Sequence, residues 1–179
     1  MISCLTLNPY NTKKEENMLQ TQKELLNVLT QIGIEYTNHE HPAVYTVEEA
    51  DLQHKGIDGV HSKNLFFKDK KKNLFLVVTL SDKSIIIKEV AKKIGAKSPS
   101  FGKPALLAEV LGVIPGAVTP FAVINDKNHR VKVILDKEMM ENELLNFHPL
   151  ENTATTTITS KNLVKFMEHC NQEFEIIRL

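Results

Sequence analysis

Residues 61–78, HSKNLFFKDKKKNLFLVV, decide the fold, because two apolar runs rich in Leu, Phe and Val flank a polar, lysine-rich turn. Two such runs on either side of a short polar turn are typical of a β-hairpin. Lys63 and Asn64 stand where the first strand enters from a loop that contains Gly56 and Gly59. A lysine beside a carboxamide can present donors to an anion or a polarised carbonyl. An exposed lysine at a strand edge can equally serve only to prevent aggregation, and the local pattern leaves both interpretations open.

The segments around this hairpin mix helices and strands without a regular βαβ alternation. Apolar residues at helical spacing predict a helix over residues 18–32, and Pro104 is placed to begin a second helix. Residues 121–124 and 130–135 are predicted to form a second hairpin, and residues 160–177 a final helix and strand. The sequence therefore predicts an α+β fold with a mixed, largely antiparallel sheet.

The chain has 179 residues, which fits one domain. Residues 1–17 show no periodicity and are predicted to be a flexible N-terminal extension, so that residues 18–179 form the single domain. Thr46 and Glu49 have the capping-box spacing for a short helix that ends near Leu52.

Composition limits the partners and the compartment. Lys and Arg total 22, as do Asp and Glu, so the formal net charge is zero and any contact with RNA has to be local. Two cysteines at opposite ends of the chain, Cys4 and Cys170, suggest a reducing compartment and no disulfide. No apolar run approaches the length of a membrane span. We therefore expect a cytoplasmic protein without a membrane partner.

The residue pattern offers no familiar catalytic device. His39 and His41 stand two residues apart, but no Cys, Asp or Glu cluster completes a metal site of known spacing. Neither cysteine lies near a candidate base, and no Gly-x-Ser-x-Gly elbow or glycine-rich phosphate loop occurs. We therefore expect no metal, no other cofactor and no strong nucleophile.

Three separated motifs occur in one order: residues 61–66 (HSKNLF), 121–126 (FAVIND) and 146–150 (NFHPL), the last followed by the threonine-rich residues 153–157. Together they resemble the successive motifs of the YbaK-like prolyl-tRNA editing family, and the likeness extends over residues 19–178. The resemblance is to its freestanding, ProX-like branch, which deacylates alanine mischarged onto proline tRNA. It implies a curved, partly barrel-like sheet surrounded by helices, with a pocket at one open end.

The resemblance also implies three catalytic residues. Lys63 is expected to neutralise charge at the ester or at the terminal phosphate, while Asn64 and His148 hold the substrate. His148 lies between Phe147 and Pro149 in a turn, and its alternative interpretation is a half-buried histidine with satisfied hydrogen bonds.

Seven further residues are expected to contact the substrate. They are Gly112, Pro115, Gly116, Phe66, Ile124, Asn125 and Thr155. The glycines and the proline match a family loop that holds the aminoacyl end through its backbone. Phe66 and Ile124 are equally consistent with ordinary core positions, and Thr155 with a hydroxyl that pairs within the sheet.

The expected function is trans-editing hydrolysis of the ester of mischarged Ala-tRNA(Pro). Such an ester is already activated, so a positioned water and a stabilised oxyanion suffice. Two alternatives stay open: a related deacylase acting on Cys-tRNA(Pro) or another small aminoacyl group, and a non-catalytic adaptor that binds tRNA or a synthetase. The expected partner is the acceptor end of tRNA(Pro), with prolyl-tRNA synthetase as a further candidate. Lys68, Lys103 and the turn lysines at 70–72 are candidate RNA contacts.

Overall fold

The computed structural model describes residues 19–43 and 56–179, so the predicted extension at residues 1–17 and the predicted helix at residues 46–52 lie outside the described residues. The helices are α1 (Gln22–Gln31), α2 (Ile87–Lys93), α3 (Pro104–Leu111), α4 (Lys137–Met140) and α5 (Ser160–His169), with a 3-10 helix at Pro120–Asn125. The strands are β1 (Thr37–Glu40), β2 (Val60–Lys68), β3 (Leu74–Leu80), β4 (Ser100–Phe101), β5 (Val131–Asp136), β6 (Leu144–Phe147), β7 (Ala154–Thr159) and β8 (Phe174–Ile177).

One sheet joins these strands in the order β1-β7-β6-β2-β3-β5-β8, with β4 added to β2. Four of the strand pairs are antiparallel and three are parallel, so the predicted α+β fold with a mixed sheet is confirmed. The predicted first hairpin is β2 and β3. On its other side β2 pairs with β6 only at Val60 and His61, and with β4 only at Phe67 and Lys68. The sheet is therefore open on that side beside residues 62–66.

Two hydrophobic clusters lie on the two faces of β2, because side chains alternate along a strand. Phe66 belongs to the main core, which α1, α3 and α5 cover. Phe67 points the other way and stacks on Phe75, with ring centroids 5.1 Å apart, in a second core covered by Val90 and Ala91 of α2.

The predicted second hairpin is wrong at its first strand. Residues 121–124 lie in the 3-10 helix, where Thr119 caps the first turn and Pro120 supplies a helical φ. The Asp126 carboxylate then accepts the backbone N–H groups of Arg130 at 3.0 Å and Val131 at 2.8 Å, which directs the chain into β5. β5 pairs in parallel with β3. A fully buried apolar run has no alternation, so its pattern cannot distinguish a strand from a short helix.

In the described part of the chain, we find no helix with both the length and the apolar character needed to span a membrane.

A buried carboxylate joins β3, β5, α4 and the C-terminal residue. Asp136 has no solvent exposure, and it accepts hydrogen bonds from Thr79 Oγ1 at 2.7 Å, Lys83 Nζ at 2.9 Å and the Leu179 N–H at 3.3 Å. Burial alone would raise the pKa of Asp136, but the hydrogen bonds from Lys83 and Thr79 outweigh it and hold that pKa below its ordinary value.

We expect Asp136→Asn to lower the free energy of unfolding by about 3 kcal/mol at pH 7, because it leaves Lys83 and Thr79 without their charged acceptor. The folded pKa is depressed, so the stabilisation is present above the unfolded pKa of about 3.9 and is lost as the pH falls through the folded pKa. Urea denaturation at pH 7 and again below pH 3 measures this difference.

The matched control is Glu141→Gln, which removes an exposed carboxylate 3.5 Å from Arg178 Nη2. An exposed ion pair contributes little to stability, so this control should have the same free energy of unfolding as the wild type. Equal stability of Asp136→Asn and wild type at pH 7 would show that the buried carboxylate does not hold these elements together.

Candidate active site

A polar face crosses β2 and β6 on the side of the sheet away from the main core. Phe147 packs into the main core, so the neighbouring Asn146 and His148 point to the opposite side. The parallel register pairs His61 with Asn146. Lys63 stands two residues beyond His61 and therefore shares the face with His148.

β7 extends this polar face. Thr157 pairs with Asn146 in the register, and Thr155 follows the same alternation. Thr157 Oγ1 donates to Asn146 Oδ1 at 2.6 Å, and Asn146 Nδ2 donates to the Asp58 carbonyl at 3.0 Å. Asn146 is only 2% exposed. Its amide therefore fixes β6 against β7 and against the loop that enters β2.

The Lys63 ammonium is held at the edge of the polar face. Its Nζ donates to the Ser81 carbonyl at 3.1 Å and also to the Lys83 carbonyl. Lys83 is itself fixed through its side chain, which contacts Asp136 at 2.9 Å and Glu138 at 2.7 Å. An ammonium has three N–H donors, so two are used by the turn and one is left for a ligand.

His148 is held in one tautomer when it is neutral. Its Nδ1 lies 2.9 Å from the Ala154 carbonyl, which can only accept, so Nδ1 carries the proton and Nε2 is an acceptor that is free of partners among residues 19–43 and 56–179. Burial lowers the pKa of His148, the Ala154 carbonyl opposes this by raising it, and charge on His41 lowers it further. The net shift is downward, which favours the neutral imidazole.

His41 is a neighbour of His148 that the sequence motifs did not single out. The two rings have centroids 6.2 Å apart. His41 Nδ1 lies 2.9 Å from the Pro42 carbonyl, so in the neutral ring Nε2 accepts from the Thr155 hydroxyl at 3.0 Å. The backbone N–H of His41 also donates to the Thr153 carbonyl at 2.9 Å. Thr155 is thus paired with His41, which holds the loop after β1 beside His148.

Asn64 and Phe66 lie on the opposite face of β2 from Lys63. Asn64 pairs with Val78, a main-core residue, and its Nδ2 reaches Ser62 Oγ at 3.5 Å. Its Oδ1 is buried and has no hydrogen-bond partner in the structure of residues 19–43 and 56–179. Phe66 is buried against Gly102, where a Cβ would come within 2.3 Å of the phenyl ring. The core interpretation of Phe66 therefore fits its position.

The backbone of Asn64 faces the opening in the sheet. The Phe66 carbonyl accepts the Gly102 N–H at 3.0 Å on the side away from β3. Backbone groups of alternate residues in a strand point to the same edge, so those of Asn64 point to this edge as well. Asn64 can therefore reach a ligand at the opening through its main chain.

Gly112 and Asn125 support each other structurally. Asn125 Oδ1 accepts the Gln20 N–H at 2.7 Å, and its Nδ2 donates to the Leu111 carbonyl at 3.2 Å. Gly112 ends α3 with φ of 66°, and a Cβ there would lie 2.8 Å from Asn125 Nδ2. This pair joins the start of α1 to the end of α3.

Pro115 and Gly116 are exposed on the loop that follows Gly112. A Cβ at Gly116 would lie 3.9 Å from Asn152 Nδ2, and Asn152 belongs to the turn that follows His148. This end of the loop therefore approaches the His148 turn.

Ile124 lines a cavity of about 440 Å³ together with Lys127, His169 and Cys170. Burial raises the pKa of the Cys170 thiol to about 11, so the thiol is not an activated nucleophile. A different cavity, of about 460 Å³, borders the polar face and is lined by His39, Asp58 and Thr157 among others.

The structure thus brings Lys63, His148 and Thr155 onto one face and places Gly116 near it. It puts the side chains of Asn64 and Phe66 on the opposite face. Ile124 lines a separate cavity, and Asn125 bonds to Gln20 and Leu111. Four further polar residues of this face had no predicted role: His61, Asn146 and Thr157, which lie within the motifs, and His41, which lies outside them. Within residues 19–43 and 56–179 no group of three or more His, Cys, Asp or Glu side chains could hold a metal ion.

The comparisons with known proteins agree with this fold. Residues 41–166, more than half of the chain, match the aminoacyl-tRNA editing domain family, and the chain belongs to that family. The prolyl-tRNA editing protein ProX of Acetoanaerobium sticklandii is 32% identical over 163 residues, which cover 90% of this chain and 99% of that protein. The resemblance predicted from the three motifs is confirmed.

Two further relatives extend the comparison. Prolyl-tRNA synthetase associated domain-containing protein 1 of Danio rerio is 38% identical over 149 residues, which cover 82% of this chain and 81% of that protein. A crystal structure of a candidate trans-editing enzyme for prolyl-tRNA synthetase has a TM-score of 0.66 and 17% identity, and the match covers 90% of this chain and 99% of that one. At this identity the likeness shows the shared fold.

We expect the His148 imidazole to titrate below the ordinary histidine pKa of about 6.5, because burial and the neighbouring His41 disfavour its charge. His41→Gln should raise the midpoint, since it removes a neighbouring charge and leaves a side chain able to reach Thr155. An NMR titration of the ring protons measures both midpoints. The control His129→Gln changes an exposed histidine that lines the Ile124 cavity, and it should leave the midpoint of His148 unchanged. A wild-type midpoint at or above the ordinary value would contradict this description of the site.

Proposed function

We propose that this chain is a trans-editing aminoacyl-tRNA deacylase that hydrolyses the ester of mischarged Ala-tRNA(Pro) in the cytoplasm, without a metal or other cofactor. Membership of the aminoacyl-tRNA editing family supports the deacylase activity, and the ProX relative supports a prolyl-tRNA substrate. The observation that carries the proposal is the polar face that holds both a tethered ammonium, Lys63, and a histidine with a free Nε2, His148.

In the proposed reaction a water attacks the ester carbonyl, and the bond to the ribose oxygen of the tRNA then breaks. His148 Nε2 accepts a hydrogen bond from this water, and the lowered pKa keeps the acceptor free near neutral pH. The remaining N–H of Lys63 donates to the oxyanion or to the terminal phosphate. The proton lost by the water ends on the departing ribose hydroxyl, so no covalent enzyme intermediate is needed.

Asn64 contributes to this proposal through its backbone, which faces the opening beside residues 62–66. The exposed loop residues Pro115 and Gly116 are proposed to contact the acceptor end from the side of the His148 turn. Thr155 acts with His41 to hold the loop after β1 beside His148. Together these groups position an ester that is already activated, which is the main requirement for this reaction.

An editing enzyme of this kind selects the aminoacyl group by size. One methylene changes binding by only about 1–3 kcal/mol, so a synthetase that admits proline cannot fully reject alanine, and a second site that admits only small residues corrects the error. We place this selection in the cavity lined by His39, Asp58 and Thr157, which borders the polar face.

We expect Lys63→Ala to reduce deacylation of Ala-tRNA(Pro) by on the order of 10²–10³, because a donor placed at developing charge contributes this much to the rate. Lys63→Arg should recover only part of the loss, since a planar guanidinium cannot reproduce two bonds to the turn carbonyls and one to the ligand. Single-turnover hydrolysis of Ala-tRNA(Pro) measures the effect, with the exposed Lys161→Ala as control. Turnover by Lys63→Ala near that of Lys161→Ala would show that the ammonium is not part of the site.

The amino-acid specificity is tested by hydrolysis of proline tRNA charged with alanine, serine or cysteine. We expect the alanyl ester to be hydrolysed fastest. The seryl and cysteinyl esters, whose side chains are each larger than that of alanine by one heavy atom, should be hydrolysed about 10–200-fold more slowly, because the site must exclude that atom. Faster hydrolysis of the cysteinyl ester would favour the related deacylase instead. Binding of the tRNA without hydrolysis of any of the three esters would favour the adaptor.

A further inference from the structure

Six exposed lysines form one surface, here called the lysine face. They are Lys70, Lys71, Lys72, Lys88, Lys92 and Lys97. They come from three places in the sequence: the β2–β3 turn, α2 and the loop after α2.

Backbone contacts fasten the turn onto this loop. The Lys70 N–H donates to the Lys97 carbonyl at 2.9 Å. The carboxylate of Asp69, only 5% exposed, accepts the N–H groups of Lys71 at 2.8 Å and Asn73 at 3.0 Å and the side-chain amide of Asn73 at 3.0 Å. The nearest carboxylate in sequence is thus used within the turn, and no other carboxylate of residues 19–43 and 56–179 pairs with the ammonium groups of residues 70–72.

A cleft of about 670 Å³ continues the lysine face beside α2. Lys88, Lys92 and Lys97 stand among its lining residues, with Ala91 and Ala96 between them. Lys88 and Lys92 are four residues apart and therefore project from the same side of the helix. Glu89 stands three residues before Lys92, but it is not among the residues that line the cleft. The cleft is therefore lined by cations and small residues, with no carboxylate among its lining residues in the described part of the chain.

Four cations elsewhere in the described part of the chain have a carboxylate partner. Lys83, Arg130, Lys132 and Arg178 each lie within 4 Å of a carboxylate, and none of the six lysines does so in the part of the chain that the structure describes. A formal net charge of zero therefore hides a surface with uncompensated positive charge.

The lysine face lies on the same side of the sheet as Lys63. α2 packs on Phe67, and Phe67 shares the alternation of Lys63 along β2. At about 3.3 Å per residue, Lys70 is roughly 23 Å from Lys63. A tRNA carries its ester at the end of a short unpaired segment that leads into the acceptor-stem duplex. The phosphates of the duplex are thus set back from the ester, at a distance that a surface away from the polar face can reach.

We propose that the lysine face binds the phosphate backbone of the acceptor-stem duplex while the polar face receives the aminoacylated end. This inference rests on the proposed function, because it takes its partner from that substrate. Lysine ammoniums act as point charges that neutralise phosphates without reading bases, so this surface supplies affinity and orientation and leaves selection to the polar face.

The test uses the full chain with Lys88→Gln, Lys92→Gln and Lys97→Gln combined. Glutamine keeps the helix propensity and removes only the charge. We expect affinity for an uncharged proline tRNA transcript to fall by on the order of tenfold or more at low salt, and the slope of log affinity against log salt to fall by about three. Hydrolysis of a minimal alanyl ester of a nucleoside should be unchanged, since the polar face is intact.

The matched control combines Lys23→Gln, Lys127→Gln and Lys161→Gln, which remove the same charge from exposed positions outside the lysine face. It should retain the tRNA affinity of the wild type. An acceptor-stem minihelix should show the same loss as the full tRNA, and a single strand with the same 3′ sequence should bind equally to all three proteins.

The variant that combines Lys88→Gln, Lys92→Gln and Lys97→Gln is compared with the wild type at each salt concentration. Equal tRNA affinity throughout would overturn the proposal that the lysine face binds the duplex, even if deacylation proceeds normally. A second outcome is that the wild type hydrolyses none of the esters, while the variant without Lys88, Lys92 and Lys97 binds tRNA more weakly than the wild type. The proposed function would then fail, and the proposal for the lysine face would stand. The two failures are therefore distinguishable.

Discussion

The alternation of side chains along β2 is the constraint on which the arrangement of this molecule depends. Both faces of β2 are covered, so a shift of one residue would exchange Phe66 and Phe67 between two cores that already fit them. The same alternation sends Lys63 to the polar face and the Asn64 side chain to the main core. Packing of the phenylalanines therefore determines the face on which Lys63 lies, and the turn after β3 then holds its ammonium.

Buried polar groups hold the two ends of the site at a fixed spacing. Asn146 ties β6, β7 and the entry to β2 on the histidine side. Asp136 fixes Lys83, whose carbonyl in turn accepts from Lys63. Neither of these groups needs to touch a substrate to matter, because a displacement of about 1 Å in a positioning group can cost on the order of 10² in rate.

Local patterns allowed part of this structure to be predicted from sequence. The hairpin around residues 70–73 was predictable because its strands, turn and partners lie within one stretch. The 3-10 helix at Pro120–Asn125 was not, since a run buried on every side lacks the alternation that distinguishes strands. His41 was missed for a related reason. Its contact with Thr155 depends on the pairing of β1 with β7, which joins residues more than a hundred positions apart.

The distribution of charge explains how a neutral chain can have an RNA-binding surface. Lys83, Lys132 and Arg130 each pair with a carboxylate away from α2, whereas within residues 19–43 and 56–179 no carboxylate lies within 4 Å of Lys88, Lys92 or the lysines of the β2–β3 turn. Because salt screens such charges within about 8 Å at physiological ionic strength, they act only on RNA that is already close. A molecule of zero net charge also exerts little long-range attraction. Affinity would then come from short-range phosphate contacts, and a deacylated tRNA could leave without having to escape a strong field.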